Sequence, residues 1–452
     1  MTLLSRIAWA ALPLSGLAYS SSVSVTVPRH PQHDRQVVDS SYQSLSIEFF
    51  AFMEYSGNAT YSNPLNTNLA KHLHELGNAP LKVRIGGSSQ TYVYWIPEQT
   101  QGLIGYYEDG IDKTYNVTLG PAFFDAFDAW PSDTEFVLGL PYPENGEGLL
   151  ESYIEIARRA YEKLGTRLAG LEIGNERQDT GTPGEFTRNF LDAAYKISEE
   201  VFGDPYKKIY TAGTLIAPTL IQCKDPEDKE TCWSVQSLFE HESTRRGSSS
   251  LPTRTRDQTR QYLLNHTSTA WFLNSHEDLA ADSTARGIPY ILGEGNSLFG
   301  HGRRNLSDTF SAALWTIDHT LYGAQTNITN IGFHQSWGWR YTGKKVEVIL
   351  EEDLLSAYAI YDSGSGALSS VVALNLEDWN STSVAERPEV IIRMDQLGRG
   401  CRGEVYRLTA PGADLKSPEV VSFAGQVDTE RLGRNGRLTL KASEAALVTF
   451  DC

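Results

Sequence analysis

From Ser44 onward, short apolar runs rich in β-branched and aromatic residues alternate with longer segments whose apolar positions recur at helical spacing. The short runs at 44–50, 81–85, 136–140, 168–174, 208–212, 271–275, 290–293 and 330–334 predict strands. Between them, 149–163, 185–201 and 308–322 are examples of predicted amphipathic helices. Strand–helix alternation of this kind implies βα units and a parallel sheet. Eight units fit a closed (β/α)8 TIM barrel better than an open doubly wound sheet. No G-x-G-x-x-G follows the first strand, so a dinucleotide-binding sheet loses its main support.

Beyond about Lys345 the texture changes. Strand-like runs at 346–350, 354–361, 369–375, 389–393, 403–408, 420–423 and 446–450 follow one another with only Gly, Pro, Asp and Ser clusters between them. That pattern predicts a C-terminal antiparallel β-sandwich domain. The β-rich stretch 23–38 precedes the first barrel strand and is assigned to the same sandwich. The expected organisation is therefore a leader at 1–20, an N-terminal β segment at 21–38, a catalytic barrel at 39–344 and a sandwich at 345–452.

The leader follows from Arg6, the apolar stretch from Ile7 to Leu17, and the small residues Ala18, Ser20 and Ser21, the layout of a secretory signal peptide. No stretch approaches the roughly twenty apolar residues that a membrane span needs. Sequons at Asn58, Asn116, Asn265, Asn305, Asn327 and Asn380 agree with secretion to the extracellular space. So do the 4 cysteines, few and even in number. Three pairings are open; Cys223 with Cys232, close together in one charged loop, leaves Cys401 with Cys452. A net charge of −17 argues against nucleic acid, whose phosphates need basic stripes. The absence of C-x-x-C, of H-E-x-x-H and of any histidine cluster gives no metal and no cofactor. Aromatics make up 11% of the chain, and several predicted loops carry Trp or Tyr, which suits stacking on sugar rings as well as packing.

In a barrel of this type chemistry sits at the C-terminal strand ends. Those ends read Glu48-Phe49-Phe50, Arg84-Ile85-Gly86-Gly87-Ser88, Gly174-Asn175-Glu176, Ser275-His276-Glu277, Gly293-Glu294-Gly295-Asn296 and Phe333-His334-Gln335. Glu176 and Glu294 each follow an apolar strand directly, on the fourth and seventh predicted strands. Glycosidic bond cleavage needs such a pair: one carboxyl holds a proton for the leaving oxygen, the other is ionised beside the anomeric carbon. At about 5–5.5 Å apart, the second can form a covalent glycosyl-enzyme and configuration is retained.

The stretches L-E-I-G-N-E (171–176) and I-P-Y-I-L-G-E-G-N-S (288–297) resemble the retaining glycosidases of clan A. With R-I-G-G-S-S (84–89), Y-L-L-N-H-T (262–267), D-T-F-S-A-A-L-W-T-I-D (308–318) and F-H-Q-S-W-G-W-R-Y (333–341), they resemble glycoside hydrolase family 79, most of all its fungal secreted members. That family contains β-glucuronidases and heparanases. The resemblance implies Glu176 as acid/base and Glu294 as nucleophile, here followed by Gly295-Asn296-Ser297 where Thr-Asn-Ser is common. It further implies Asn175 as donor to the sugar 2-hydroxyl and Glu48 as acceptor from ring hydroxyls, chiefly the 4-hydroxyl. A carboxylate on an otherwise apolar strand is costly unless paired, which favours a site for Glu48. Arg84 either keeps Glu294 ionised or makes a rim ion pair. His276 either orients a carboxylate or is a satisfied interior histidine, and His334 and Gln335 pose the same choice. Tyr341, with backbone N–H groups near Gly338, either grips a substrate carboxylate or only packs.

The implied activity is a secreted retaining exo-β-glycosidase acting on a carbohydrate substrate, a β-glucuronidase, with 4-O-methyl-glucuronidase and β-glucosidase as alternatives within the family. A non-catalytic carbohydrate-binding protein is the alternative of another class, and a lectin has no use for two carboxyls of opposed protonation.

Overall fold

A computed structural model of the protein describes residues 21–33, 36–57, 63–77, 79–107, 114–142, 149–175, 182–204, 210–216, 247–248, 256–287, 289–297, 305–334, 344–362, 365–395, 402–415, 422–423, 430–433 and 436–451. Eight parallel strands close into a barrel: Gln43–Glu48, Lys82–Gly86, Glu135–Leu140, Leu168–Asn175, Tyr210–Ile216, Gly247–Ser248, Ile291–Gly295 and Asn330–His334. Each pairs with its sequence neighbours, and Asn330–His334 closes the ring on Gln43–Glu48 in the register Ile331↔Gln43, Phe333↔Leu45. Their wall-facing side chains, among them Ile47, Ile85, Leu138 and Ile173, are buried against the surrounding helices.

Helices stand where the periodicity places them. Leu149–Leu164 buries Tyr153, Ile156, Ala157 and Ala160, an apolar stripe spaced at three and four residues. Pro183–Ile197 starts on a capping box: Thr182 accepts from the backbone of Glu185, whose carboxylate accepts in return from the backbone of Thr182. The first turn of Phe310–Gln325 has no side-chain cap. Its N–H groups instead donate to carbonyls of the C-terminal domain, Phe310 to Leu415 at 2.8 Å and Ser311 to Ala413 at 3.0 Å.

The sixth barrel strand corrects the sequence reading. Residues 271–275 are not a strand; Trp271, Phe272 and Leu273 lie in the helix His266–Asn274. A short apolar run does not distinguish strand from helix by itself. The deciding signals are Asn265, whose side chain caps the helix by accepting from Ser268 N at 2.7 Å, and the buried set His266, Thr269, Ala270 and Leu273 at helical spacing. Trp271 points outward, 69% exposed. The sixth strand is instead Gly247–Ser248, pairing with Leu215, Ile216 and Leu292.

Between the second and third barrel strands the chain inserts a small sheet that the strand count did not anticipate. Thr114–Leu119 runs between Val93–Trp95 and Leu103–Tyr107. It covers an aromatic cluster in which Phe49, Phe52, Phe123, Phe127, Trp130 and Phe136 meet ring to ring.

The C-terminal domain is a sandwich. One sheet holds Lys344–Glu352, Leu355–Asp362, Leu368–Asn375, Glu444–Asp451, Arg402–Thr409 and Ser422–Phe423 in that spatial order, with Glu430–Arg431 paired beside Arg402–Thr409. The facing sheet has Glu389–Asp395 at its centre, antiparallel to Arg437–Lys441 and parallel to the N-terminal strand Ser21–Thr26. Val25, Ile392 and Leu440 from this sheet pack on Ala357, Val371 and Val448 from the other. The outer face of the large sheet lies on the barrel: Tyr358, Ile360 and Leu374 share one apolar cluster with Leu314, Ile317 and Leu321 of the helix Phe310–Gln325. Each fully buried large side chain there is worth about 1.5–3 kcal/mol over leaving it in water.

Candidate active site

The mouth of the barrel is organised around one cation. Arg84, from the second strand, is 6% exposed, too buried for water to solvate its charge. Its Nε donates to Glu172 Oε2 at 2.9 Å and its Nη2 to Glu172 Oε1, a fork on a carboxylate that is itself only 2% exposed. The same Nη2 donates to Asn175 Oδ1 at 3.0 Å, while Nη1 donates to Ser46 Oγ at 3.1 Å and to Glu294 Oε1. Burial alone would lower the Arg84 pKa, but Glu172 and Glu294 more than reverse it, so the guanidinium stays protonated.

Glu294 reaches this cluster from the seventh strand through a local irregularity. Between Leu292 and Gly295 the strand carries one more residue than its partner does between Ile331 and Phe333. Such a bulge re-aims a side chain. Opposite it, Gly332 is obligatory: a Cβ there would stand 2.7 Å from the Gly293 carbonyl oxygen. At Gly295 a Cβ would meet Ile331 Cγ2 at 3.3 Å, a tight fit beside the strand end.

Glu172 and Asn175 lie three residues apart yet both touch Arg84. A regular strand turns such residues to opposite faces. The alternation breaks at Gly174, whose φ of 77° is a left-handed value suited to glycine. The broken strand end is held by Gln90, which is completely buried. Its Nε2 donates to the Gly174 carbonyl at 2.9 Å and lies 3.3 Å from the carbonyls of Leu140 and Glu172, and its Oε1 accepts from Gly87 N at 3.1 Å.

On the opposite side of Arg84 a second chain of polar groups runs to Glu48. Ser46 Oγ meets His334 Nδ1 at 3.0 Å, and His334 Nε2 lies 3.3 Å from Glu48 Oε2. Glu48 Oε1 also accepts from Ser89 N at 2.8 Å and from its hydroxyl. Burial pushes the Glu48 carboxyl up; the hydrogen bonds from His334 and Ser89 and the charge of His334 outweigh it, so its pKa falls below the usual carboxylate value. Gly87, at φ 101°, has no room for a Cβ, which would stand 2.2 Å from Glu48 Oε2.

Of the residues singled out in the sequence, Glu48, Arg84, Asn175 and Glu294 therefore meet in one hydrogen-bonded network, joined by His334. His276 does not. It precedes the helix Glu277–Ala285, 2% exposed, with Nδ1 at 2.8 Å from Tyr290 Oη, and burial holds its pKa down at about 4. Its assignment to the mouth rested on the sixth strand that proved to be a helix. Glu176, Tyr341, Gln335, the leader at 1–20 and the four cysteines lie outside the described residues. Ser46, Ser89, Gln90 and Glu172 were missed. The cost of an unpaired carboxylate on an apolar strand, applied to Glu48, flags Glu172 in L-E-I-G-N-E equally well.

Residues 357–447 match the glycosyl hydrolase family 79 C-terminal β domain. A β-glucuronidase of Aspergillus niger is 27% identical, covering 87% of this chain and 80% of its own length. A β-glucuronidase of Neurospora crassa is 26% identical, covering 85% of this chain and 79% of its own. The C-terminal β domain is thus of the glycoside hydrolase family 79 type, and the chain as a whole is similar to fungal β-glucuronidases. Its fold agrees with a solved 4-O-α-L-rhamnosyl-β-D-glucuronidase of Fusarium oxysporum, at 18% identity and a TM-score of 0.76 over 94% of this chain and 100% of that one. An α-L-arabinofuranosidase of Thermotoga maritima shares the architecture more distantly, at 13% identity and a TM-score of 0.59 over 94% of this chain and 98% of that one. This chain thus joins a (β/α)8 barrel to a C-terminal β domain, with its cluster of buried polar residues at the C-terminal mouth of the barrel.

Proposed function

We propose that the protein is a secreted retaining β-glucuronidase that removes terminal β-linked glucuronic acid by double displacement. Glu294 attacks the anomeric carbon, and Glu176 protonates the leaving oxygen and then activates water. The observation that supports this most is the placement of Glu294 at the barrel mouth against Arg84, in one network with Asn175 and Glu48. Arg84 fixes the Oε1 of the nucleophile, and Asn175 donates to the 2-hydroxyl as the oxocarbenium-like transition state forms. Glu48, ionised and held by Ser89 and His334, accepts from the hydroxyls on the far side of the ring. The choice of glucuronic acid draws on the two fungal relatives named β-glucuronidase. Tyr341, with the backbone near Gly338, takes the substrate carboxylate in this reading.

Aryl β-glucuronide, 4-O-methyl-glucuronide, glucoside, galactoside and xyloside assayed side by side across pH 3–7 test the glycone. The glucuronide should give the highest kcat/KM. A preference for the glucoside would overturn the glycone assignment, and no turnover of any of the five would overturn the enzyme. Mature protein from culture medium should begin near Ser20 and lose mass on endoglycosidase treatment.

A further inference from the structure

Gln90 is placed as no ordinary core residue needs to be. It lies in the turn that follows the second barrel strand, completely buried, with its amide threaded between the C-terminal ends of three strands. The acceptor end takes Gly87 N, and the donor end reaches the carbonyls of Leu140, Glu172 and Gly174. Two neighbouring positions leave it room only as glycines: a Cβ at Gly139 would stand 2.2 Å from Gln90 Oε1, and one at Gly86 2.6 Å from it. The third, Gly174, presents its carbonyl from a left-handed backbone conformation.

We infer that Gln90 is a positioning residue for the reaction: by holding the Gly174 carbonyl, it fixes the break in the fourth strand that turns Asn175 toward the sugar and sets the start of the segment carrying Glu176. Without that hydrogen bond, the left-handed turn at Gly174 loses the side-chain contact made to its own carbonyl and can relax toward a regular strand, in which Asn175 would face away from Arg84. Proton donation depends on placement of the donor, and a displacement near 1 Å costs about 100-fold. The expected lesion is therefore one of acid catalysis and of the 2-hydroxyl contact, not of nucleophilic attack, since Glu294 is held independently by Arg84. This rests on the assignment of Glu176 as acid/base.

Three variants separate the possibilities. Gln90→Met keeps the volume and removes both hydrogen-bonding ends. Gln90→Glu keeps the shape and the acceptor, and donates to Gly174 only when protonated. Gln90→Ala removes everything. Each is assayed with phenyl and 2,4-dinitrophenyl β-glucuronides, the second needing little proton donation. Gln90→Met should lose about 100-fold more in kcat/KM on the phenyl substrate than on the dinitrophenyl one, since the loss of the 2-hydroxyl contact falls on both and the loss of proton donation on the first alone. Gln90→Glu should regain activity on the phenyl substrate as pH falls toward 4, beyond the change seen in the unaltered enzyme. Equal losses on both substrates in Gln90→Met, with no acid recovery in Gln90→Glu, would overturn the inference and leave Gln90 as packing. Glu176→Ala run alongside guards the premise. If it fails to discriminate between the two leaving groups, the assignment of Glu176 falls, whatever the Gln90 variants do.

Discussion

Arg84 carries Glu172 on one edge of its guanidinium and Glu294 on another nitrogen, so one buried cation serves two carboxylates of different standing. Glu172 is nearly inaccessible and takes the geometrically complete, forked pairing; Glu294 is 17% exposed through its side chain and shares only Nη1, with Ser46 as the other acceptor there. The fork anchors the arginine, and the anchored arginine orients the carboxylate that faces the mouth.

A lysine at position 84 carries the charge without the fork. Arg84→Lys should fold, retain a charge near Glu172, and lose about 100-fold or more in kcat because Glu294 is no longer held. Arg84→Ala leaves two carboxylates in a largely buried site without their cation, and should cost about 3–5 kcal/mol of stability. Urea unfolding together with initial rates separates the two effects: a lysine variant of full activity would show that Glu294 needs no positioned partner.

Glu48 provides a test of how the far side of the sugar is read. Its carboxylate is stabilised by Ser89 and His334 and its pKa lies below the usual value, so it stays ionised through the weakly acidic range. Glu48→Gln removes a charged acceptor, worth about 1.5–3 kcal/mol in a hydrogen bond, and kcat/KM should fall roughly 10- to 100-fold. A 4-deoxy glucuronide has no 4-hydroxyl to donate and should lose far less on the same substitution. Equal loss on both substrates would remove the 4-hydroxyl from the role given to Glu48.

Much of this site could be read from the residues alone, because each strand end exposes its chemistry next to its own apolar run. Glu48, Arg84, Asn175 and Glu294 all sit at such ends. What could not be read was pairing across the barrel. Ser46, Ser89 and Gln90 are small or neutral polar residues of unremarkable sequence context, and their partners lie 38 or more positions away for Arg84 to Ser46, 41 for Ser89 to Glu48 and 84 for Gln90 to Gly174. The sixth strand failed for a different reason. Gly247–Ser248 has no apolar signature at all, whereas 271–275 has one and spends it on a helix capped by Asn265.

Two buried histidines beneath the barrel wall make the fold sensitive to acid. Burial holds His276 at about 4 and His319 at about 3, both below the ordinary value of 6.5. Each neutral ring therefore contributes fully above pH 6.5, and that contribution is lost as pH falls toward the folded-state value, by about 3 kcal/mol or more for each. His266 has the opposite sign. Burial would lower its pKa, but Asp318, 2.9 Å from its Nδ1, raises it overall, so its contribution is present below 6.5 and fades as pH rises through the raised value. Thermal melts between pH 3.5 and 8 should show an acid limb that flattens in His319→Gln and His276→Gln and persists in His266→Gln. An acid limb unchanged by the first two substitutions would mean that the fall comes from carboxylates instead.

The two carboxyls proposed for the double displacement should fail in different ways, and that difference is the sharpest test of their roles. Glu294→Ala should abolish turnover of every substrate, since no glycosyl-enzyme can form. Glu176→Ala should spare the first step for a dinitrophenyl glycoside, whose leaving group departs without a proton. The second step then stalls for want of a base, and the glycosyl-enzyme accumulates as a mass increment on the intact protein. Azide attacks without base assistance, so it should restore turnover of that variant and give a β-glycosyl azide, the product of two successive inversions. In the unaltered enzyme kcat/KM should trace a bell against pH, with an alkaline limb that is lost in Glu176→Ala if Glu176 is the acid. Rescue of Glu294→Ala in place of Glu176→Ala, with a β-configured azide, would mean that the nucleophile is Glu176 and that Arg84 orients the acid/base.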